Sequence, residues 1–209
     1  MSTAPAPTPE TLPTLSPEAH ALTASSAPDP EGGMLFSAWW PRPALEVIPA
    51  DAMPQPYRGL LDHQSDMTST LEKFHGEPLG LRVLARRQVG SILSRRVVLV
   101  GKESGTPVEF GAIRIELEGF PAAARELIVE GRRPLGALLA EFAIPYRSRP
   151  KLFLKVKTDA EIETALEIAA SGAAPHLFGR ENALLNPAGG MLAEVVEILP
   201  PLVREPVSE

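Results

Sequence analysis

Residues 92 to 117 read ILSRRVVLVGKESGTPVEFGAIRIEL. Two runs rich in β-branched and apolar residues, Ile92 to Val100 and Val108 to Leu117, flank the segment GKESGTP. Its glycines, serine and proline accept tight or left-handed geometry, so the stretch predicts a β-hairpin. A third run of the same kind, Gly80 to Val89, precedes it, and the natural inference is a meander. The same signal returns near the carboxyl end, where Leu177 to Leu185 and Met191 to Leu199 are separated by NPAGG. Pro200 and Pro201 then end the pairing. Leu152 to Val156 alternates as a further short strand.

Helical signals lie between and beside these strands. In LLDHQSDMTSTLEKF, Ser65 or Asp66 is a plausible N-cap, and Thr70, Leu71 and Phe74 follow at helical spacing. AAARELIVEG after Pro121 reads as a helix, and RRPLGALLAEF starts another with Pro134 near its first turn. DAEIETALEIAASG places Ile162, Ala165, Leu166 and Ala169 on one face and ends at Gly172. Strands joined by short turns, with helices beside them rather than alternating with them, indicate an α+β fold, mainly an antiparallel sheet.

The remaining sequence bounds the organisation. Residues 1 to 33, MSTAPAPTPETLPTLSPEAHALTASSAPDPEGG, cannot bury enough apolar surface to offset chain entropy, and they read as a disordered tail. One domain is expected over residues 34 to 203, with 204 to 209 as a second short tail. Trp39 and Trp40 read as clamps of the first ordered segment onto the core. Prolines at 41, 43, 49, 54 and 56 predict irregular structure from there to Leu60.

Several function classes are excluded. The chain of 209 residues has a formal net charge of -6 and no Lys or Arg concentration, which argues against a nucleic-acid partner. No cysteine is present, so disulfide, thiolate and iron-sulfur chemistry are absent. His20, His63, His75 and His176 lack metal-ligand spacing, and no metal is expected. There is no GxSxG elbow, Walker loop, HExxH pair or Rossmann glycine fingerprint. No Lys or Arg precedes Arg42, and no apolar stretch is long enough for a bilayer. A soluble, cytoplasmic protein without membrane span is the expectation, and a monomer.

What remains is charge inside apolar strands. Arg95 shares its face with Val97 and Leu99, and Arg96 shares the other with Val98 and Val100. In the last strand Glu194 lies with Val196 and Ile198, and Glu197 with Val195 and Leu199. An inward guanidinium needs an anionic partner, because isolated burial of charge is very costly. That partner is either a strand carboxylate, which makes a structural ion pair, or a bound ligand. Periodicity leaves both open.

Four segments, in order, resemble the chorismate-pyruvate lyase family. LLDHQSDMTSTLEKF is similar to the family's early "LL...DSMT...LE", and RRVVLVGKESGTPVEFGA to its "REILL...DGxPxxxG" hairpin. RRPLGALLAEF is similar to "xxPLGxxLF", and LFGRENALLNPAGGMLAEVVEILPP to "LWGRR...L...GxPLLxxExFLP". Together they cover roughly residues 60 to 201. The departures are Ser65-Asp66 in place of Asp-Ser, a longer hairpin turn, Glu181 in place of the second arginine of "GRR", the helix near Ile162 and the proline-rich tail.

The resemblance implies a chorismate lyase-like fold with a buried pocket under helical flaps. It also implies loss of pyruvate from chorismate to leave 4-hydroxybenzoate, a ubiquinone-pathway step that uses no cofactor. Carried over by position, Arg95 and Glu197 would be the catalytic pair, and Met67, Arg95, Leu135 and Glu197 would bind the substrate, Met67 and Leu135 through backbone groups. Arg95 would clamp the ring carboxylate, and Glu197 would meet the developing 4-hydroxyl. A small aromatic or cyclic carboxylate is thus the expected partner, with a carbon-oxygen lyase as the first reading. The second reading is a non-catalytic effector sensor or degenerate homologue of the same fold. No helix-turn-helix unit is legible in residues 1 to 59.

Overall fold

A computed structural model describes residues 43–168 and 176–202. The expected tails, Trp39, Trp40, Ala169 and Gly172 lie outside the described residues. In chain order the elements are β1 (Leu45–Ile48), α1 (Tyr57–Leu61), α2 (Met67–His75), β2 (Leu79–Val89), β3 (Ile92–Gly101), β4 (Pro107–Glu116), α3 (Ala122–Glu130) and α4 (Leu135–Glu141), followed by β5 (Arg147–Lys157), α5 (Ala160–Ala165), β6 (His176–Leu185) and β7 (Met191–Leu199). The seven strands form one antiparallel sheet in the order β1-β5-β6-β7-β4-β3-β2.

The expected hairpins are present, and the period of two divides their side chains between two faces. One face packs Val98, Phe110, Ala112, Val196 and Ile198 against Ile162 and Ala165 of α5. The other face lies under α1 to α4 and holds two separate apolar clusters. At one end Leu93, Ile113, Ile115, Leu184, Ala193 and Val195 pack under α3 and α4. At the other, Leu79, Leu99 and Leu199 pack under α1 and α2.

The structure departs from expectation in three places. The proline-rich segment is not irregular throughout. Leu45–Ile48, between Pro43 and Pro49, pairs with β5 at the sheet edge, where prolines cost no ladder bonds, and α1 follows Pro56. Strand β5 is longer than the five residues expected, because Pro150 is accommodated at a register shift. Helix α5 ends sooner, since Glu167 takes a φ of 55° directly after the C-cap Leu166. Of the two candidate caps for α2, Asp66 is the one used: its Oδ1 accepts from the Ser69 N–H at 2.7 Å.

Candidate functional site

The gap between the two apolar clusters is the site, and each central strand contributes to it in register. Along β3 the helix-covered face reads Leu93, Arg95, Val97, Leu99. Along β4 it reads Ile115, Ile113, Gly111, Glu109, and along β7 Ala193, Val195, Glu197, Leu199. Along β6 it reads Leu184, Asn182, Arg180, Phe178. A polar stripe therefore crosses the sheet between two oily ends. Arg95 faces Ile113, which faces Val195, while Gly111 faces Glu197. Two strand spacings and two residues then separate Arg95 from Glu197, roughly 12 Å between Cα atoms. Gly111 lies between them, and Val97 and Glu109 crowd the space where its side chain would stand.

The roof is made by two helix starts. Met67 and Leu135 are the first residues of α2 and α4, so neither amide has an acceptor within its own helix. Both residues line the cavity, with Asp66 and Thr68 on one side and Pro134 and Gly136 on the other. The helices are in close contact there: a Cβ on Gly136 would stand 2.7 Å from the Asp66 Oδ1 and 2.8 Å from the Thr68 Oγ1. The cavity is about 60 Å³, smaller than the ~150 Å³ hollow that takes up benzene.

All four expected site residues line this one cavity: Met67, Arg95, Leu135 and Glu197. Their electrostatic settings differ. Arg95 is 2 % exposed, and its Nη1 donates to the Ile128 carbonyl at 3.2 Å. Its Nε has no partner, and no carboxylate among the described residues is within ion-pair distance. Burial pulls this guanidinium down to about 10. Arg96 points to the opposite face, where its Nε donates to Glu161 of α5 at 2.6 Å. Glu194 is on that face too and pairs with Lys151.

Glu197 is 5 % exposed and does have a partner, its register neighbour across the β6–β7 hairpin, which the sequence reading passed over. Arg180, fully buried, donates from Nε to the Glu197 Oε2 at 2.5 Å. Its Nη1 donates to the carbonyls of Leu61 at 2.9 Å and His63 at 3.0 Å, which ties the segment between α1 and α2 to the sheet. The His63 Nε2 faces the Leu60 carbonyl at 2.8 Å, and its Nδ1 accepts from the Ser65 N–H at 3.1 Å. That pattern suits a neutral ring, and burial, with the nearby Arg180, holds His63 below its ordinary value. Arg180 stands in the "GRE" of LFGREN; a charged residue in an otherwise apolar strand was the available signal.

Glu109 is the second residue that sequence reading missed. It is 4 % exposed, it lines the cavity, and its Oε2 has no partner. Burial first, then the neighbouring Glu197, push its carboxyl well above the usual range, while Arg180 opposes them. Deep in the site Arg180 and Glu197 offset each other, and Arg95 has no carboxylate within ion-pair distance among the described residues. At the mouth, Asp66 is engaged as the cap of α2, where the helix N-terminus counters its charge.

Among the described residues no group of three or more metal-ligating side chains occurs, and no helix is long and apolar enough to cross a membrane. No protein-family model matches the chain, and no curated protein matches it in sequence. Solved structures do match in shape. PhnF from Mycobacterium smegmatis aligns with a TM-score of 0.50 at 14% identity, over 66% of this chain and 64% of PhnF, so the chain spans slightly less than two thirds of that protein. The effector domain of PhnF alone aligns with a TM-score of 0.50 at 15% identity, over 65% of this chain and 88% of the domain. The ligand-binding domain of a GntR-family transcriptional regulator from Bordetella bronchiseptica aligns at 0.45 and 15% identity, over 62% of this chain and 92% of that one. At these identities the likeness concerns architecture: the chain has the α+β effector-domain fold, which is also the chorismate lyase-like fold.

Proposed function

We propose that this chain is a binding domain for a small carboxylic acid carrying one negative charge, and that it holds this ligand without transforming it. One observation carries the reading: Arg95 is buried at the cavity wall with no carboxylate partner, while the other deep ionic groups offset each other. A charge left in that state is costly unless an anion arrives. A ligand carboxylate would accept from Arg95 in a charge-assisted pair. Val97, Leu99, Ile113 and Leu139 line the same cavity and suit an apolar ring or chain.

A second reading, chorismate lyase, has its own support. Arg95, Glu197, Met67 and Leu135, the residues that the resemblance selects, all line one cavity. Charge weighs against it: chorismate carries two carboxylates, and the interior has one cation to spare. Among the described residues no cation besides Arg95 lines the cavity to receive the second.

Benzoate and 4-hydroxybenzoate, followed by calorimetry and thermal denaturation, test the binding reading. At a hundredfold excess over the dissociation constant, a ligand stabilises by about 2.7 kcal/mol, which is a rise of roughly 5–10 °C in a chain of this size. The rise should vanish in Arg95→Met. Incubation with chorismate separates the two readings: binding alone yields no pyruvate, and Arg95-dependent pyruvate release would establish the lyase instead.

A further inference from the structure

The cation at the cavity wall is held by the end of a helix. Arg95 donates from Nη1 to the Ile128 carbonyl at 3.2 Å, and its register partner on β2, Arg86, donates from Nη1 to the Val129 carbonyl at 3.0 Å. Both acceptors lie in the last turn of α3, whose final carbonyls lack donors within the helix. Gly131 caps that turn in the left-handed region at a φ of 75°, and its N–H donates to the Leu127 carbonyl. The cap sits close on the sheet: a Cβ on Gly131 would stand 3.5 Å from the Val83 Cγ2 and 4.0 Å from the Arg95 Nη1. Two arginines directly opposite each other on antiparallel strands repel. The partial negative charge at the carbonyl end of α3 offsets them.

Resting on the carboxylate-binding reading above, we propose that the α3 terminus is an internal competitor for Arg95, an autoinhibitory latch that a ligand carboxylate releases. A carboxylate that bonds Nη1 displaces the Ile128 carbonyl outright. One that bonds elsewhere on the guanidinium neutralises it and sets a negative charge beside a negative helix end. Either route weakens the hold on α3.

The size of the cavity supports the same device. At about 60 Å³ it is smaller than the ~150 Å³ hollow that takes up benzene, so a ring enters only if part of the wall yields. Helix α4 supplies Leu135 and Leu139 to that wall and follows α3 after a connection of only Gly131 to Pro134. Loosening the α3 terminus therefore frees the connection that holds α4 over the cavity. Arg86, exposed at the edge strand, still holds the Val129 carbonyl. The coupling is reciprocal: whatever loosens the α3 terminus tightens ligand binding by the same factor.

Hydrogen–deuterium exchange on the full chain reads the latch directly. With saturating 4-hydroxybenzoate, exchange at the amides of residues 128 to 131 should accelerate by roughly three- to thirtyfold, the worth of a cation at a partly buried helix C-terminus expressed as a ratio. Amides of the central strands should slow. Arg95→Met should show the fast exchange at residues 128 to 131 without ligand, and no further change with it. Gly131→Ala, whose Cβ makes only ordinary contacts but strains the left-handed cap, should bind 4-hydroxybenzoate severalfold more tightly by calorimetry. Arg95-dependent binding that leaves exchange at residues 128 to 131 unchanged, or slows it, overturns the latch and spares the carboxylate reading. An affinity of Gly131→Ala no higher than that of the wild type does the same. Failure of benzoate and 4-hydroxybenzoate to bind the wild type through Arg95 overturns both.

Discussion

Replacing Arg95 by methionine should stabilise the unliganded protein while abolishing ligand binding. The guanidinium is 2 % exposed, donates one hydrogen bond to a backbone carbonyl and leaves its Nε unsatisfied. Burial lowers it from its ordinary value to about 10. At about 1.4 kcal/mol per tenfold, that depression corresponds to roughly 3 kcal/mol of desolvation cost carried by the charged form. The cost is present throughout the neutral range, because the group remains protonated until pH approaches its folded value and so is charged in both the folded and unfolded chain. Against it stands one charge-assisted bond to the Ile128 carbonyl, worth about 1.5 kcal/mol. Methionine replaces the aliphatic stem of arginine with little loss of packing. The net expectation is a gain of about 1–2 kcal/mol, seen as a melting temperature some 2–8 °C higher at pH 7. Denaturation of both forms, with and without saturating 4-hydroxybenzoate, measures the two signs at once. A loss of more than about 1 kcal/mol in Arg95→Met would mean that the fold itself compensates this cation, and the pocket would not be an anion receptor.

Opposite behaviour is expected at the other arginine: Arg180→Met strips Glu197 of its partner and should cost about 3–5 kcal/mol, a drop of roughly 6–20 °C. Adding Glu197→Leu should recover most of that loss, which urea titration of the two variants will show. Glu109 predicts a pH trend, because its folded value is raised and the unfolded chain loses that proton first. Stability should fall as pH climbs from the ordinary carboxylate range through the folded value, and Glu109→Gln should flatten the profile of melting temperature against pH. Arg96→Ala, which removes a partly exposed ion pair with Glu161 on the opposite face, should cost no more than about 1 kcal/mol and leave ligand affinity unchanged by calorimetry.

Much of the fold is legible locally. β-Branched runs around GKESGTP and NPAGG specify the two long hairpins, and Asp66 caps α2 from three residues away. The edge strand Leu45–Ile48 was hidden because four residues between prolines form a strand only when a partner strand holds them. Helix α5 broke early because a favourable periodic pattern does not prevent a backbone reversal at Glu167. In the site, strand parity separated Arg95 from Arg96 and Glu197 from Glu194. Glu109 passed unnoticed although the same parity puts it on the face of Arg95 across the hairpin, and Arg180 passed unnoticed inside a quoted motif.

By itself the sequence determined the hairpin strands, their turns and which of their residues share a face, because the pleat repeats every two residues and is a property of neighbours along the chain. Tertiary structure alone decided that β7 lies between β4 and β6. That order brings Glu109 of β4 beside Glu197 and its hairpin partner Arg180, and leaves Arg95 without a counter-charge. Such pairings join residues far apart in the chain, and their energies depend on which groups lose water together when the helices close over one face.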